Sequence, residues 1–208
     1  MMFTLKRSSY KNGLLGNFEV RESLLNGRLR PESKVEGFTA DIGASGAFCP
    51  NHLRLPVSVC FYCIEDCGRV IAPYVGHINL GKKGYRVPLR GNVQVTLFNP
   101  HGSVVKIFIV RYDVSDMPSN SQTFIRQRTL YMPTDGSEND ANSQKWLRYL
   151  IHLRFASSKS GRIYLHSDIR LIVFRKTDYD TAANLGPQTF QFREFYQGPT
   201  NPRYFSRS

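Results

Sequence analysis

Along this chain the apolar residues recur mostly at every second position, and Gly, Pro, Asn and Ser separate the runs at short intervals. Period two marks strands that turn one face to a core, and closely spaced turn residues mark antiparallel sandwiches and barrels. The pattern predicts an all-β fold, an antiparallel β-sandwich-like domain with long loops and little helix. Leu53 to Ile64 reads as one alternating strand, with Leu55, Val57, Val59 and Phe61 on one face and Ser58, Cys60 and Tyr62 on the other. Val93, Val95 and Leu97 lead into Asn99-Pro100-His101-Gly102, a turn by composition, and Val105, Ile107 and Ile109 return as the second arm of a hairpin. A second hairpin runs through Leu147, Tyr149, Ile151, Leu153 and Phe155, turns over 157–161, and comes back through Ile163 and Leu165. Ile169, Leu171 and Val173 form the next strand, and the short apolar run over 143–150 also admits a helix.

This punctuation divides the chain into a lead over 1–15, a first β block over 16–132, a polar loop over 133–144 and a second block over 145–208. The two blocks are expected to form one structural unit, and no internal repeat has a fixed period. No apolar stretch approaches the roughly 18 residues of a membrane span, and the start MMFTLKRSSYKNG lacks the apolar block of a signal peptide. There is no Asn-x-Ser/Thr acceptor site, and the four cysteines are bunched between positions 49 and 67. These features predict a reducing, intracellular compartment without membrane attachment.

Composition adds charge to this picture. With 41% hydrophobic and 21% charged residues the 208-residue chain can bury a core, so it is globular. Its formal net charge is +12, with 28 Lys and Arg against 16 Asp and Glu. The first 104 residues hold 13 basic and 7 acidic residues and the remainder 15 and 9, an excess of six in each half. The charge thus belongs to the folded surface, not to an arm, and it suggests a polyanionic partner.

Cys49, His52, Cys60, Cys63 and Cys67 are the residue types that bind zinc, but Cys60 and Cys63 lie three apart in a strand-like segment with no turn between them. The reading is buried or strand-edge thiols and no metal. Cys49, His52 and Asp41 form a conceivable nucleophile, base and orienter, a combination too common by chance to support an enzyme. Gly76 to Lys83 comes one residue short of a phosphate loop, but Ile78 and Leu80 read as strand and Gly84 and Pro88 preclude the helix that must follow. Gly43-Ala44-Ser45-Gly46 reads as a tight turn needing positive φ. No cofactor or small-molecule substrate is indicated.

The basic residues on strands remain. Arg126 and Arg128 share a face by parity, as do Arg148, His152 and Arg154 opposite the apolar set, and Lys82, Lys83 and Arg86 crowd one connection. These eight are the candidate nucleic-acid or partner-binding residues, expected on outer strand faces. If those faces adjoin, they form a basic surface with Tyr and Phe nearby, suited to phosphate contact and base stacking. The alternative is the ordinary solvated face of a sandwich.

The strings LLNGRLRPESKVEGFTADIGASGAFCPNH, LPVSVCFY, GKKGYRVP, VQVTLFNP and LRYLIHLRFASSKSGRIYLHSDIRL, with Pro199-Thr200-Asn201-Pro202 near the end, resemble the C-terminal region of the Atos family from about Gly16 to Arg203. The resemblance implies a nuclear protein that regulates transcription through nuclear protein partners and possibly DNA. It also implies a second block associated by name with meiotic chromosome segregation, and it brings no catalytic residues. Family members carry a long N-terminal region with transactivation segments where this chain has a short lead, so no activation function is expected here. The segment from Tyr74 to Gly81 is shorter than in the family, and Cys60, Cys63 and Cys67 depart from its pattern while Cys49 matches. The leading expectation is a nuclear, non-enzymatic interaction domain in transcriptional control. The runner-up is a chromosome-associated module needed in meiosis, and a cysteine-dependent enzyme comes third.

Overall fold

The computed structural model describes residues 17–66, 69–140, 143–174 and 189–207. The expected lead over 1–15 and Cys67 lie outside the described residues. One antiparallel sheet, A, runs in the order β1 (Ser33–Val35), β4 (Ser58–Phe61), β7 (Pro73–Asn79), β14 (Asp168–Phe174), β12 (Leu147–Ser157), β11 (Ser121–Pro133), β15 (Phe190–Gln197). Three short strands attach to it: β13 (Ile163–Leu165) pairs with β12 and with β8 (Tyr85–Val87), and β16 (Phe205–Ser206) pairs with β11. Sheet B is β10 (Val104–Asp113), β9 (Arg90–Phe98), β2 (Thr39–Gly46), β3 (Leu53–Pro56). A small ribbon pairs β5 (Ile64–Asp66) with β6 (Arg69–Ile71). The helices are α1 (Asn17–Leu25) and a 3₁₀ turn over Ser143–Trp146.

The two sheets pack face to face. Their shared core takes Ala40, Ile42, Val93, Val95, Phe108 and Val110 from sheet B and Val59, Ile78, Ile151, Leu153, Phe155 and Leu171 from sheet A. Each fully buried side chain of this size stabilises the fold by about 1.5–3 kcal/mol. The other face of sheet A is also covered. Leu24 and Leu25 of α1 pack there with Tyr62, Val75, Leu150 and Ile172 into a second core.

Both predicted hairpins form. The Asn99 side-chain oxygen accepts from the amides of His101 (3.0 Å) and Ser103 (2.9 Å), which fixes the first turn, and Val93 and Val95 face Val110 and Phe108 across the ladder. The parity of the return arm is the reverse of the expected one. Phe108, Val110 and Tyr112 go to the core, while Val105, Ile107 and Ile109 stand on the outer face, the last two 45% and 53% exposed. β10 is apolar on both faces, so alternation could not choose between them. The pairing shifts between Val104 and Lys106, which places the larger aromatic side chains inside.

The single strand expected over 53–64 is broken into β3, β4 and the first residue of β5. Pro56 ends β3 in sheet B, and the chain crosses through buried Val57 into β4 of sheet A. Proline cannot donate to a ladder, and this is where the chain changes sheet. The 143–150 ambiguity resolves as one 3₁₀ turn followed at once by β12. The Gly43 to Gly46 segment is strand, not turn. A Cβ at Gly43 would meet the His52 ring, and one at Gly46 would collide with Arg90 O.

At the lateral edge of the sandwich, Gln127 of β11 is buried and its amide nitrogen lies 2.8 Å from Ile109 O, 3.0 Å from Glu194 Oε2 and 2.9 Å from the Tyr196 hydroxyl. One side chain thereby ties β10 of sheet B to β11 and β15 of sheet A.

Candidate nucleic-acid interface

Parity placed Arg126, Arg128, His152 and Arg154 on one face, with Arg126 paired to His152 and Arg128 to Leu150, but the pairing shifts at Arg148, which leaves that register. That face, however, is not an open one, because α1 lies across it. Glu22 of α1 binds the Arg126 guanidinium through both carboxylate oxygens, and Arg170 donates to Leu25 O at the helix end. His152 is 4% exposed, with Arg126 Nε 3.0 Å from its Nδ1 and Arg154 Nε 3.3 Å from its Nε2. Burial, and then the Arg126, Arg154 and Arg170 charges, push its pKa down to about 3, so the ring is neutral. A neutral imidazole accepts at one nitrogen, so only one of the two contacts is a hydrogen bond. Asp168 accepts from Arg170 Nε at 2.7 Å and lies 3.2 Å from His77 Nδ1, and these two partners hold its carboxyl far below the usual range.

The remaining predicted residues scatter. Arg128 pairs with Glu138 at 3.0 Å, and Arg148 donates to Lys145 O at 3.1 Å. Lys82 and Lys83 are exposed on the turn after β7, where Lys82 borders a small pocket with His77, Asp168 and Arg207. The expectation of one solvated basic face over these residues is therefore corrected. Arg126, His152 and Arg154 form a half-buried cluster whose charge is met by Glu22 and Asp168. The reason is α1, a helix at the start of the block over 16–132 that sequence reading took as β.

Arg86 lies elsewhere, in a groove of about 1560 Å³ where the two sheets part at one end of the sandwich. Sheet B and the loops leaving it line it with Gly46 to Phe48, Arg90 to Asn92 and Arg111 to Ser115, and sheet A and its loops with Arg86, Val87, Thr123 to Ile125, Arg162 and Ile163. Tyr196 to Pro199 and Arg203 complete the wall. Its charged residues are Arg86, Arg90, Arg111, Arg162 and Arg203 against the single acid Asp113. Arg203 is held by Asp116 at 2.9 Å and by Asp113 O at 2.7 Å. Among the described residues, Arg86, Arg90, Arg111 and Arg162 make no ion pair within 4.0 Å, and all four are exposed.

Local sequence explains how the groove forms. Gly91 at φ +152° pairs with Gly46, and a Cβ at Gly91 would collide with Ser45 O, so only glycine lets β2 and β9 meet this closely beside Arg90. Tyr112 is buried in the floor, and its hydroxyl donates to Pro88 O at 2.9 Å. Burial raises its pKa well above the usual phenol value, so it contributes no negative charge. At the rim, the Arg86 guanidinium stacks on the exposed Phe48 ring at 5.0 Å, and Tyr196 is 48% exposed. Sequence reading found Arg86 and missed Arg90, Arg111, Arg162, Phe48 and Tyr196. Their only local signal is the glycine inside β9, which marks a close backbone approach.

Cys49 and Cys63 are exposed and Cys60 packs against the second core. No group of three His, Cys, Asp or Glu side chains is placed to hold a metal among the described residues. Asp41 accepts from Arg54 at 2.6 and 2.8 Å, and this pairing lowers its carboxyl pKa.

Comparison with known proteins agrees with the strings read along the chain. The family described as "Chromosome segregation during meiosis" matches residues 146–207, and a domain of unknown function (DUF4210) matches residues 14–75. Atos homolog protein A of Xenopus tropicalis is 52% identical over 205 residues, covering 93% of this chain and 21% of the relative. The chain belongs to the Atos family. Atos homolog protein A of Homo sapiens is likewise 52% identical, over 93% of this chain and 18% of the relative. Atos homolog protein B of Bos taurus is 47% identical over 92% of this chain and 35% of the relative. The chain thus spans about a fifth of the Atos A relatives and about a third of the B relative. No solved structure matches it. The two matched segments of this Atos domain share one sheet: β1 and β4 come from the first and β12, β14 and β15 from the second, joined through β7.

Proposed function

We propose that this domain is a nuclear, non-enzymatic interaction module that acts in transcriptional control by contacting nucleic acid through the groove between the sheets. The observation that carries this reading is the set of four exposed arginines, Arg86, Arg90, Arg111 and Arg162, none in an ion pair within 4.0 Å among the described residues and with Asp113, opposite Arg90, as the one acid lining a concave site that also presents aromatic rings. Phosphates are bound by such groups, and a groove lined by five arginines against one acid is suited to a polyanion. The family description at residues 146–207 favours a second reading, a chromosome-associated module used in meiosis. The same groove serves both.

Binding of labelled DNA at about 50 and about 200 mM salt tests the proposal, because affinity for phosphate falls steeply as released counterions accumulate. Affinity that drops across this range, and is lost in Arg90→Glu/Arg111→Glu, is the expected result. No binding at the lower salt would leave a protein-partner module and remove the nucleic-acid contact.

A further inference from the structure

We infer that the groove takes a single strand of nucleic acid and rejects the duplex, an assignment that rests on the nucleic-acid reading above. The arginines are set inside a cleft walled by both sheets, so their ligand must enter a concavity instead of lying as a convex rod across a flat or protruding basic face. The duplex readers that insert into DNA do so with a projecting helix or ribbon. Here the only α-helix among the described residues is packed onto sheet A by Leu24 and Leu25 and bound there by Glu22. The rim meanwhile offers what an unpaired base requires. Phe48 is exposed, the Arg86 guanidinium carbon sits over its ring 5.0 Å from the centroid, and Tyr196, which also lines the groove, is 48% exposed. Bases locked in a duplex keep their faces against one another, whereas those of a single strand are free to stack on aromatic rings and guanidinium planes. Arg90 and Arg111, on the neighbouring strands β9 and β10, line the same groove, and there they can meet the phosphates of a strand stacked at Phe48.

Fluorescence anisotropy on the folded domain, with a labelled oligodeoxythymidylate and the matching oligouridylate of about 12 nucleotides and a duplex of equal length, tests the assignment. Either single strand should bind at least about tenfold more tightly than the duplex, at both low and moderate salt, given a stacking contribution at each base. Phe48 is exposed and carries no core packing, so Phe48→Ala should leave the fold intact while weakening single-strand affinity about five- to a hundredfold. Phe48→Trp should retain or strengthen it. Salt-dependent binding that favours the duplex, or that is indifferent to Phe48→Ala, would overturn the single-strand assignment and leave the nucleic-acid reading standing. Absence of binding to all three probes at about 50 mM salt would overturn both.

Discussion

Arg126 and Arg111 are both strand arginines of one sandwich, yet they stand in opposite electrostatic circumstances. Arg126 is 12% exposed, faces His152 and is bound by Glu22 of a helix that covers it. Arg111 is exposed on the groove wall with no acidic partner within 4.0 Å among the described residues. A half-buried guanidinium must be neutralised where it sits, because an uncompensated buried charge costs several kcal/mol, and once neutralised it has little left for a ligand. An exposed one keeps its donors for an incoming phosphate. Net charge counts both kinds alike, and for that reason it overstates what the β11 and β12 face can bind.

The contrast can be broken experimentally. Arg126→Ala leaves Glu22 without its partner in a half-buried site and should lower unfolding free energy by about 3–5 kcal/mol, measured by urea denaturation. Leu24→Ala removes a fully buried anchor of the helical cover and should cost about 2–5 kcal/mol, with hydrogen exchange accelerated first in α1. Acid offers a third handle. His152 is neutral in the folded protein with a pKa near 3 and ordinary when unfolded, so the unfolded chain binds the extra proton as pH falls below about 6.5. Stability should therefore fall toward acid. Between about pH 6 and about pH 4.5 the His152→Gln variant should lack about 1.4 kcal/mol per pH unit of the wild-type slope, and equal slopes would show that the ring is not shielded. At the small end, Arg111→Ala should change stability by less than about 0.5 kcal/mol while weakening oligonucleotide binding. A large loss of stability there would place Arg111 with the covered set.

Hairpins were legible because Asn99 and the 157–161 loop carry turn chemistry that acts locally. The faces of β10 were not, since Val104 to Val110 is apolar on both sides and only packing against sheet A selects Phe108. Likewise the cover of sheet A could not be seen: Leu24 and Leu25 are adjacent in α1 and write no helical stripe, so nothing in the segment announces a buried face. Parity put Arg126, Arg128, His152 and Arg154 on one side of the sheet correctly, yet it is silent about what lies on top. The groove was the least legible part: the β9–β10 hairpin sets Arg90 and Arg111 on neighbouring strands, but only the packing of sheet A against sheet B brings Arg86 and Arg162 to the same groove.

The Gln127 contact to Ile109 O has a consequence for solubility. Val104 to Val110 is a run of seven residues, strongly β-forming and interrupted by one lysine, on the outermost strand of sheet B, the kind of segment that templates strand addition from another molecule. The buried amide fills one acceptor of that edge, and Glu194 and Tyr196 of β15 hold it in place. A shortened chain ending before Phe190 would lose both supports at once. It should then be found in aggregates before it is found unfolded, making β15 the guard of an edge contributed by the middle of the chain.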